Sequence, residues 1–180
     1  MKIGIDIDNT ICSTDEVIDI KMKEYIKEKK MSREEFFSDN ANIEKFYEEK
    51  IIEVISEDPI KPYFLEVLKK LKDNNEIIIV TARNETFVKT SQSMRKATMD
   101  WLAKNNIYYD KYFDDAYKEG KVKVCKDENI DIIIDDDINN YLVFKEHWVN
   151  TLLFDDKCKY LDIVDRVGSW EEVLDILLGN

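Results

Sequence analysis

Lys2-Ile3-Gly4-Ile5-Asp6-Ile7-Asp8-Asn9-Thr10 is the stretch on which the reading of this chain turns. Ile3, Ile5 and Ile7 are β-branched residues that favour a strand. A run this short and apolar, opening into polar residues, predicts a buried strand whose C-terminal tip carries a site. Asp6 and Asp8 are separated by one residue. If the strand runs through both, their side chains share one face and bring two negative charges together, so a positive group is expected between them. Carboxylate oxygens suit Mg²⁺, a hard ion held by one or two carboxylates, waters and a substrate phosphate. Taken alone, Asp8-Asn9 reads more readily as a turn capping the next helix.

The whole pattern Asp6-Ile7-Asp8-Asn9-Thr10 resembles the first motif, Asp-x-Asp-x-Thr/Val, of the haloacid dehalogenase superfamily of phosphatases. That resemblance implies that Asp6 is a nucleophile and Asp8 a general acid and base. The chemistry accounts for the spacing, since a carboxylate that attacks phosphorus needs a neighbour to protonate the leaving oxygen and later to activate water. Dehalogenases and phosphonatases of the superfamily lack the second Asp, so its presence implies phosphate ester hydrolysis or transfer.

Three later stretches extend the resemblance. Glu76 to Val80 is a short apolar run after the turn Asp73-Asn74-Asn75 and reads as a buried strand ending in Thr81-Ala82-Arg83. This is similar to the second family motif, in which a Thr or Ser hydroxyl and neighbouring backbone N–H groups hold the transferring phosphoryl group. The implied phosphate-binding residues are then Asn9, Thr10, Ala82 and Arg83, with Thr81 catalytic. Arg83 has an equal alternative, a surface pair with Glu85. Next, Gly120-Lys121-Val122-Lys123-Val124-Cys125 precedes the expected strand Ile130 to Ile134. The family places a lysine on a helix at this point, and Lys121 fits it better than Lys123. The strand ends in Asp135-Asp136-Asp137, which resembles the fourth motif. It implies Asp136 in direct contact with Mg²⁺, Asp135 in direct or water-mediated contact, and Asp137 as a helix cap. The implied metal set is therefore Asp6, Asp8, Asp135 and Asp136. Finally, the order Thr-Ala-Arg, then Trp101-Leu102, then Asn106-Ile107-Tyr108-Tyr109-Asp110 is similar to the 5′(3′)-deoxyribonucleotidase-like proteins.

Between the first two motifs the pattern is helical from Ser13 to about Glu57, with Ser-x-x-Glu capping boxes expected at Ser13 and Ser32 and a third helix ending at Asp58-Pro59. Placed directly after the first motif, residues 13–57 resemble a small helical cap over a core formed by 1–12 and 58–180. Pro62 is expected to open a helix through Lys72. Further along, the spacing predicts a helix over about 138–145, a strand over 151–154 and a last helix capped by Ser169. His147 fits no partner pattern and reads as a structural or surface histidine.

With 180 residues, 44% of them hydrophobic, the chain can bury one substantial core. Lys and Arg total 27 against 39 Asp and Glu, a formal charge of -12, which argues against a broad electrostatic footprint for nucleic acid or an anionic membrane. Cys12, Cys125 and Cys158 are odd in number, widely spaced and outside any Cys-x-x-Cys pair, so neither disulfides nor zinc are indicated; each is expected to be a small buried residue in a reducing compartment. No apolar stretch approaches the ~20 residues of a membrane span, and a cytoplasmic setting is expected. Four glycines leave no room for a dinucleotide fingerprint.

Alternating strands and helices with acids at strand tips predict an α/β Rossmann-like fold, a mostly parallel sheet flanked by helices, with functional groups gathered at its carboxyl edge. The expected activity is Mg²⁺-dependent phosphomonoester hydrolysis through an aspartyl phosphate, on a small phosphorylated substrate such as a nucleotide. The alternatives are another small phosphoester, such as a sugar phosphate, and a non-catalytic phospho-ligand binder. The sequence is silent on oligomeric state.

Overall fold

The computed structural model describes residues 1–83, 94–114 and 116–179. In chain order these form β1 (Lys2–Ile5), α1 (Thr14–Glu28), α2 (Arg33–Ser38), α3 (Asn40–Glu57), α4 (Phe64–Leu71), β2 (Glu76–Val80), α5 (Met94–Lys104), β3 (Lys111–Phe113), α6 (Glu119–Glu128), β4 (Ile132–Asp135), α7 (Ile138–Glu146), β5 (Thr151–Phe154), β6 (Arg166–Val167) and α8 (Trp170–Leu178). The chain divides into two compact units, one of residues 1–12, 60–82 and 107–180, the other of 13–59 and 83–106.

The first unit is the α/β fold that the alternation predicts. Its six strands run in the order β3-β2-β1-β4-β5-β6, and every paired strand is parallel. β1 therefore lies inside the sheet, with Ile3, Ile5, Ile77, Ile78, Ile79, Ile133 and Ile134 all fully buried. Strands covered on both faces read as continuous apolar runs, and this is why Glu76 to Val80 and Thr151 to Phe154 were legible to the residue. On one face Ile78, Val80 and Ile133 pack with Val122 and Cys125 of α6 and Phe144 of α7. Gly4 faces the same layer. A Cβ there would stand 3.1 Å from the Ile133 side chain of the neighbouring β4 and 3.2 Å from that of Ile130 in the turn leading into it, so the central strand carries a glycine where those side chains crowd over it. Near α4 and α8, Trp170 meets Phe64 at 4.8 Å and Phe154 at 5.5 Å between ring centroids, and its indole N–H donates to the Thr10 carbonyl at 3.0 Å.

Several local expectations need correction. β1 stops at Ile5 instead of running through Asp8. Asp6 still donates its N–H to the Ile134 carbonyl at 3.0 Å, but the Ile7 carbonyl then accepts from Thr10, Ile11 and Cys12, closing a turn that puts Asn9 at φ 55. The two acids thus stand on a strand tip and a turn, not on alternate positions of one strand. The helix after Pro62 begins two residues later than expected, at Phe64, because Tyr63 takes a left-handed conformation at φ 63. β6 has only two residues, too short for its pattern to register. Cys12 and Cys125 are buried, whereas Cys158 is exposed in the turn after β5, where the Arg166 guanidinium donates to its sulfur at 3.1 Å.

In the second unit α1, α2 and α3 surround Tyr25, Phe36 and Phe46, whose rings meet edge-on at 5.5 to 6.2 Å. The capping box at Ser32 forms with both of its hydrogen bonds. The one expected at Ser13 does not: Ser13 has ψ 55, its side chain makes no capping bond, and its N–H goes to the Pro59 carbonyl. α5 packs along α3 in this unit, burying Met94, Ala97, Trp101 and Leu102.

Candidate active site

Parallel strands deliver their C-terminal ends to one edge of the sheet, and β1 and β4 lie side by side with Ile5 opposite Ile134. Asp6, which follows β1, and Asp135, the last residue of β4, are thereby brought together from distant parts of the sequence. Helix α6 supplies the third group. Lys121 is 1% exposed, and its ammonium donates to Asp6 Oδ1 and to Asp135 Oδ2, each at 2.6 Å. The runner-up Lys123 is exposed on the same helix and pairs with Asp127. About half a turn of helix separates a lysine inside the site from one in solvent.

Asp135 is almost fully occupied. Besides Lys121, its oxygens accept from the Asp137 N–H at 2.9 Å and from the Asn140 amide at 3.1 Å to each oxygen. Asp136, by contrast, is half-buried and accepts from the Thr10 hydroxyl at 3.4 Å. Asp137 caps α7, accepting from the Asn139 N–H, as the sequence indicated. Thr81 is fully buried at the end of β2, its N–H donated to the Phe113 carbonyl and its own carbonyl accepting from Ala116. Ala82 beside it is exposed. Asp8 and Asn9 are half-buried in the turn after β1.

The electrostatics show a shortage of positive charge. Burial pushes the Asp6 carboxyl up; Lys121 pulls it down, but Asp135 and Asp8 oppose that pull and it settles at about 7. Burial, then the negative charges of Asp6 and Asp135, push Asp136 up to about 9. Lys121 itself is held well above the ordinary lysine range: burial works against its charge, and Asp135 and Asp6 outweigh that. Hard oxygen donors crowded together until they retain protons are the donor set a small divalent cation would relieve.

Arg83 belongs to the helical unit. There its guanidinium donates to Asp58 Oδ2 at 2.9 Å, the Thr14 hydroxyl donates to the same oxygen at 3.0 Å, and the Trp101 indole N–H donates to the Asp58 carbonyl at 2.9 Å. Its alternative partner Glu85 lies outside the described residues. His147 closes α7 at the opposite edge of the sheet from the acids. Sequence reasoning missed Asn140, 2% exposed, which also accepts the Lys118 N–H at 3.1 Å. The available signal was an amide in the first turn of the helix that follows the acidic strand tip.

No family model matches the chain. A nucleotidase of Clostridium acetobutylicum is 28% identical over 135 residues, 73% of this chain and 66% of that protein's own length. Among solved structures, a predicted phosphatase of the same organism aligns with TM-score 0.72 and 12% identity, over 99% of this chain and 98% of that one. A haloacid dehalogenase-like family hydrolase from Streptococcus pneumoniae aligns with TM-score 0.70 and 15% identity, over 98% and 97%. The HAD-hydrolase YfnB of Bacillus subtilis, solved with magnesium, aligns with TM-score 0.67 and 13% identity, over 98% and 97%. The fold is the haloacid dehalogenase-like one, with its six parallel strands flanked by helices. No helix among the described residues is long and apolar enough to cross a membrane.

Proposed function

We propose that this chain is a phosphomonoester hydrolase that works through an aspartyl phosphate on Asp6, with Mg²⁺ as cofactor and nucleoside monophosphates as substrates. The observation that carries the reading is the buried ammonium of Lys121 held at 2.6 Å from both Asp6 and Asp135. An isolated lysine has little reason to enter the interior; one that touches a strand-tip carboxylate is in place to balance that carboxylate and an incoming phosphoryl group.

Asp6, as carboxylate, attacks phosphorus; the bond from phosphorus to the ester oxygen breaks as the new acyl phosphate bond forms. Asp8 gives its proton to the departing oxygen, and the resulting carboxylate then takes a proton from the water that attacks the acyl phosphate, returning Asp6 and releasing phosphate. The Thr81 hydroxyl and the Lys121 ammonium hold the non-bridging oxygens, with Asn9, Thr10, Ala82 and Arg83 as the remaining candidates for phosphate contact. The Asp6 and Asp136 carboxylates and the Asp8 main-chain carbonyl would hold the ion. Asp135, whose oxygens are already engaged, braces Lys121. When bound, Mg²⁺ offsets negative charge on the phosphoryl oxygens and the carboxylates. Support for a nucleotide substrate comes from the Clostridium acetobutylicum nucleotidase. Residues 13–57, the helical cap of this reading, would choose among leaving groups.

The test pairs a substrate panel with trapping of the intermediate. Nucleoside monophosphates should be hydrolysed ahead of sugar phosphates; the reverse ranking would reassign the substrate. Asp6→Asn should yield no phosphorylated protein in the mass spectrometer. Asp8→Asn should still become phosphorylated by an aryl phosphate, whose phenolate leaves unprotonated, while losing about 10²–10⁴-fold on a nucleotide. Label on the Asp6→Asn protein, or equal losses on both substrates in Asp8→Asn, would overturn the roles of this pair.

A further inference from the structure

We infer that Asn140 is a positioning residue that holds Lys121 in register with Asp6 and Asp135. The inference rests on the phosphatase reading for its catalytic consequence, although the positioning itself can be measured without turnover. Asn140 is 2% exposed in the first turn of α7 and spends both ends of its amide. Its Nδ2 donates to the two Asp135 oxygens at 3.1 Å each. Its Oδ1 accepts the Lys118 N–H at 3.1 Å. The amide orientation is fixed by these partners, because the reversed one would set an oxygen against a carboxylate and an NH₂ against an N–H.

Lys118 is the residue from which α6 starts. It sits at φ 48 and ψ -115, a conformation rarely entered by residues that carry a Cβ, and its side chain makes no capping bond. Its carbonyl opens the helix by accepting from Val122 at 3.1 Å. One turn on stands Lys121. The path into that start is pinned as well, since Ala116 donates its N–H to the Thr81 carbonyl at 3.0 Å. The single amide of Asn140 therefore grips the acid on which Lys121 leans and the first residue of the helix that carries Lys121.

The chemistry selects the residue type. The site needs a neutral group that accepts from an N–H and donates to a carboxylate at once, which the Asn140 amide does through two separate atoms. An Asp at 140 keeps the acceptor for Lys118 but cannot donate to Asp135 and adds a further negative charge. A Leu has a similar shape and does neither.

The experiment compares wild type, Asn140→Leu and Asn140→Asp by amide hydrogen exchange and by turnover of 4-nitrophenyl phosphate with Mg²⁺, alone and combined with Lys121→Met. In Asn140→Leu the amides of residues 118–122 should exchange at least about 10-fold faster while those of β1 and β4 keep their protection. Asn140→Asp should retain protection at residue 118. Turnover in Asn140→Leu should fall about 10–100-fold, the usual scale for a group that orients another, and should fall no further when Asn140→Leu is added to Lys121→Met. Unchanged exchange at the start of α6, exchange that rises equally across the sheet in both variants, or losses that multiply in the double variant would each overturn the inference. A wild-type protein that turns over no phosphate ester would refute the phosphatase reading, and the exchange data would then decide the positioning role alone.

Discussion

Lys121→Met removes an ammonium while nearly keeping the length and volume of the side chain it replaces. In the wild type that ammonium is 1% exposed and donates to Asp6 and Asp135 at 2.6 Å. Deleting one partner of a buried ion pair leaves the other uncompensated, at a cost of about 3–5 kcal/mol. This is a large share of the ~5–15 kcal/mol that holds a domain folded. With a urea slope of about 1–3 kcal/mol per molar, the unfolding midpoint should fall by one to a few molar. The deficit should also depend on pH, and its sign is fixed. The Asp6 and Asp136 carboxyls already sit at about 7 and about 9 in the folded protein, well above the ordinary aspartate range, so the folded state binds more protons than the unfolded one and loses stability as pH rises from that range through the folded values. Without Lys121 both values climb further. The deficit relative to wild type should therefore open only above the wild-type values, above about 7 for Asp6 and above about 9 for Asp136, by up to about 1.4 kcal/mol per pH unit for each group, and acid should return it. Urea unfolding in chelator at pH 9 and pH 6, with circular dichroism as the readout, measures both effects. A variant as stable as wild type at pH 9, or one whose deficit is the same at both pH values, would refute the claim that Lys121 offsets these acids.

Chelation should abolish turnover and added Mg²⁺ should restore it, while Ca²⁺, with its larger and looser coordination, should restore little; full activity after exhaustive removal of divalent ions would exclude the cofactor assignment. Asp155 accepts the N–H groups of Lys159 and Tyr160 and the Arg166 Nε, each at 2.9 Å, and these bonds outweigh burial to hold its carboxyl below the usual range. Asp155→Asn should thus cost about 1.5–3 kcal/mol at neutral pH, and because a lowered carboxyl stabilises only above its unfolded value, the gap to wild type should close as pH falls through the folded value, as thermal unfolding across pH 3 to 7 would reveal. Ser32→Ala, which removes the hydroxyl that accepts the Glu35 N–H in the α2 capping box and leaves the Ser32 N–H bond to the Glu35 carboxylate, should cost about 0.5–2 kcal/mol by the same measurement, whereas Ser13→Ala should cost little.

Much of the fold could be read because its signals are local. β2 and β5 are buried on both faces, so their apolar runs coincide with their bounds, and Asp137 and Ser169 cap the helices beside them through contacts two and three residues away. Lys121 was separable from Lys123 only through resemblance, since both are lysines on one helix and burial alone distinguishes them. What the sequence concealed depends on partners far along the chain. β1 ends at Ile5 because the Ile7 carbonyl gathers three N–H groups into a turn, an event that apolar alternation does not encode. Ser13 fails as a cap because Pro59, distant in sequence, takes its N–H. Arg83 finds Asp58, a partner 25 positions away that neither a phosphate contact nor a pair with the nearby Glu85 points to. Asn140 carries no periodic or motif signature of its own; its meaning lies in Asp135 on one side and Lys118 on the other.

The interior place of β1 has a consequence for how the molecule is made. This strand is synthesised before both of its neighbours, β2 and β4, and the bond between Lys2 and Asp131 spans 129 positions. The contact between Asp6 and Lys121 spans 115. At about 5–20 residues per second, a ribosome leaves the Ile-rich first strand without its β4 partner for roughly 6–25 s. Pairings of such long range also slow refolding, because loop closure must precede any reward from contact. During that interval a short β-branched segment is exposed to other nascent chains, and its interruption by Gly4, Asp6 and Asp8 limits self-association. The acids assigned to chemistry in the finished protein would serve, in the unfinished one, to keep its first strand soluble.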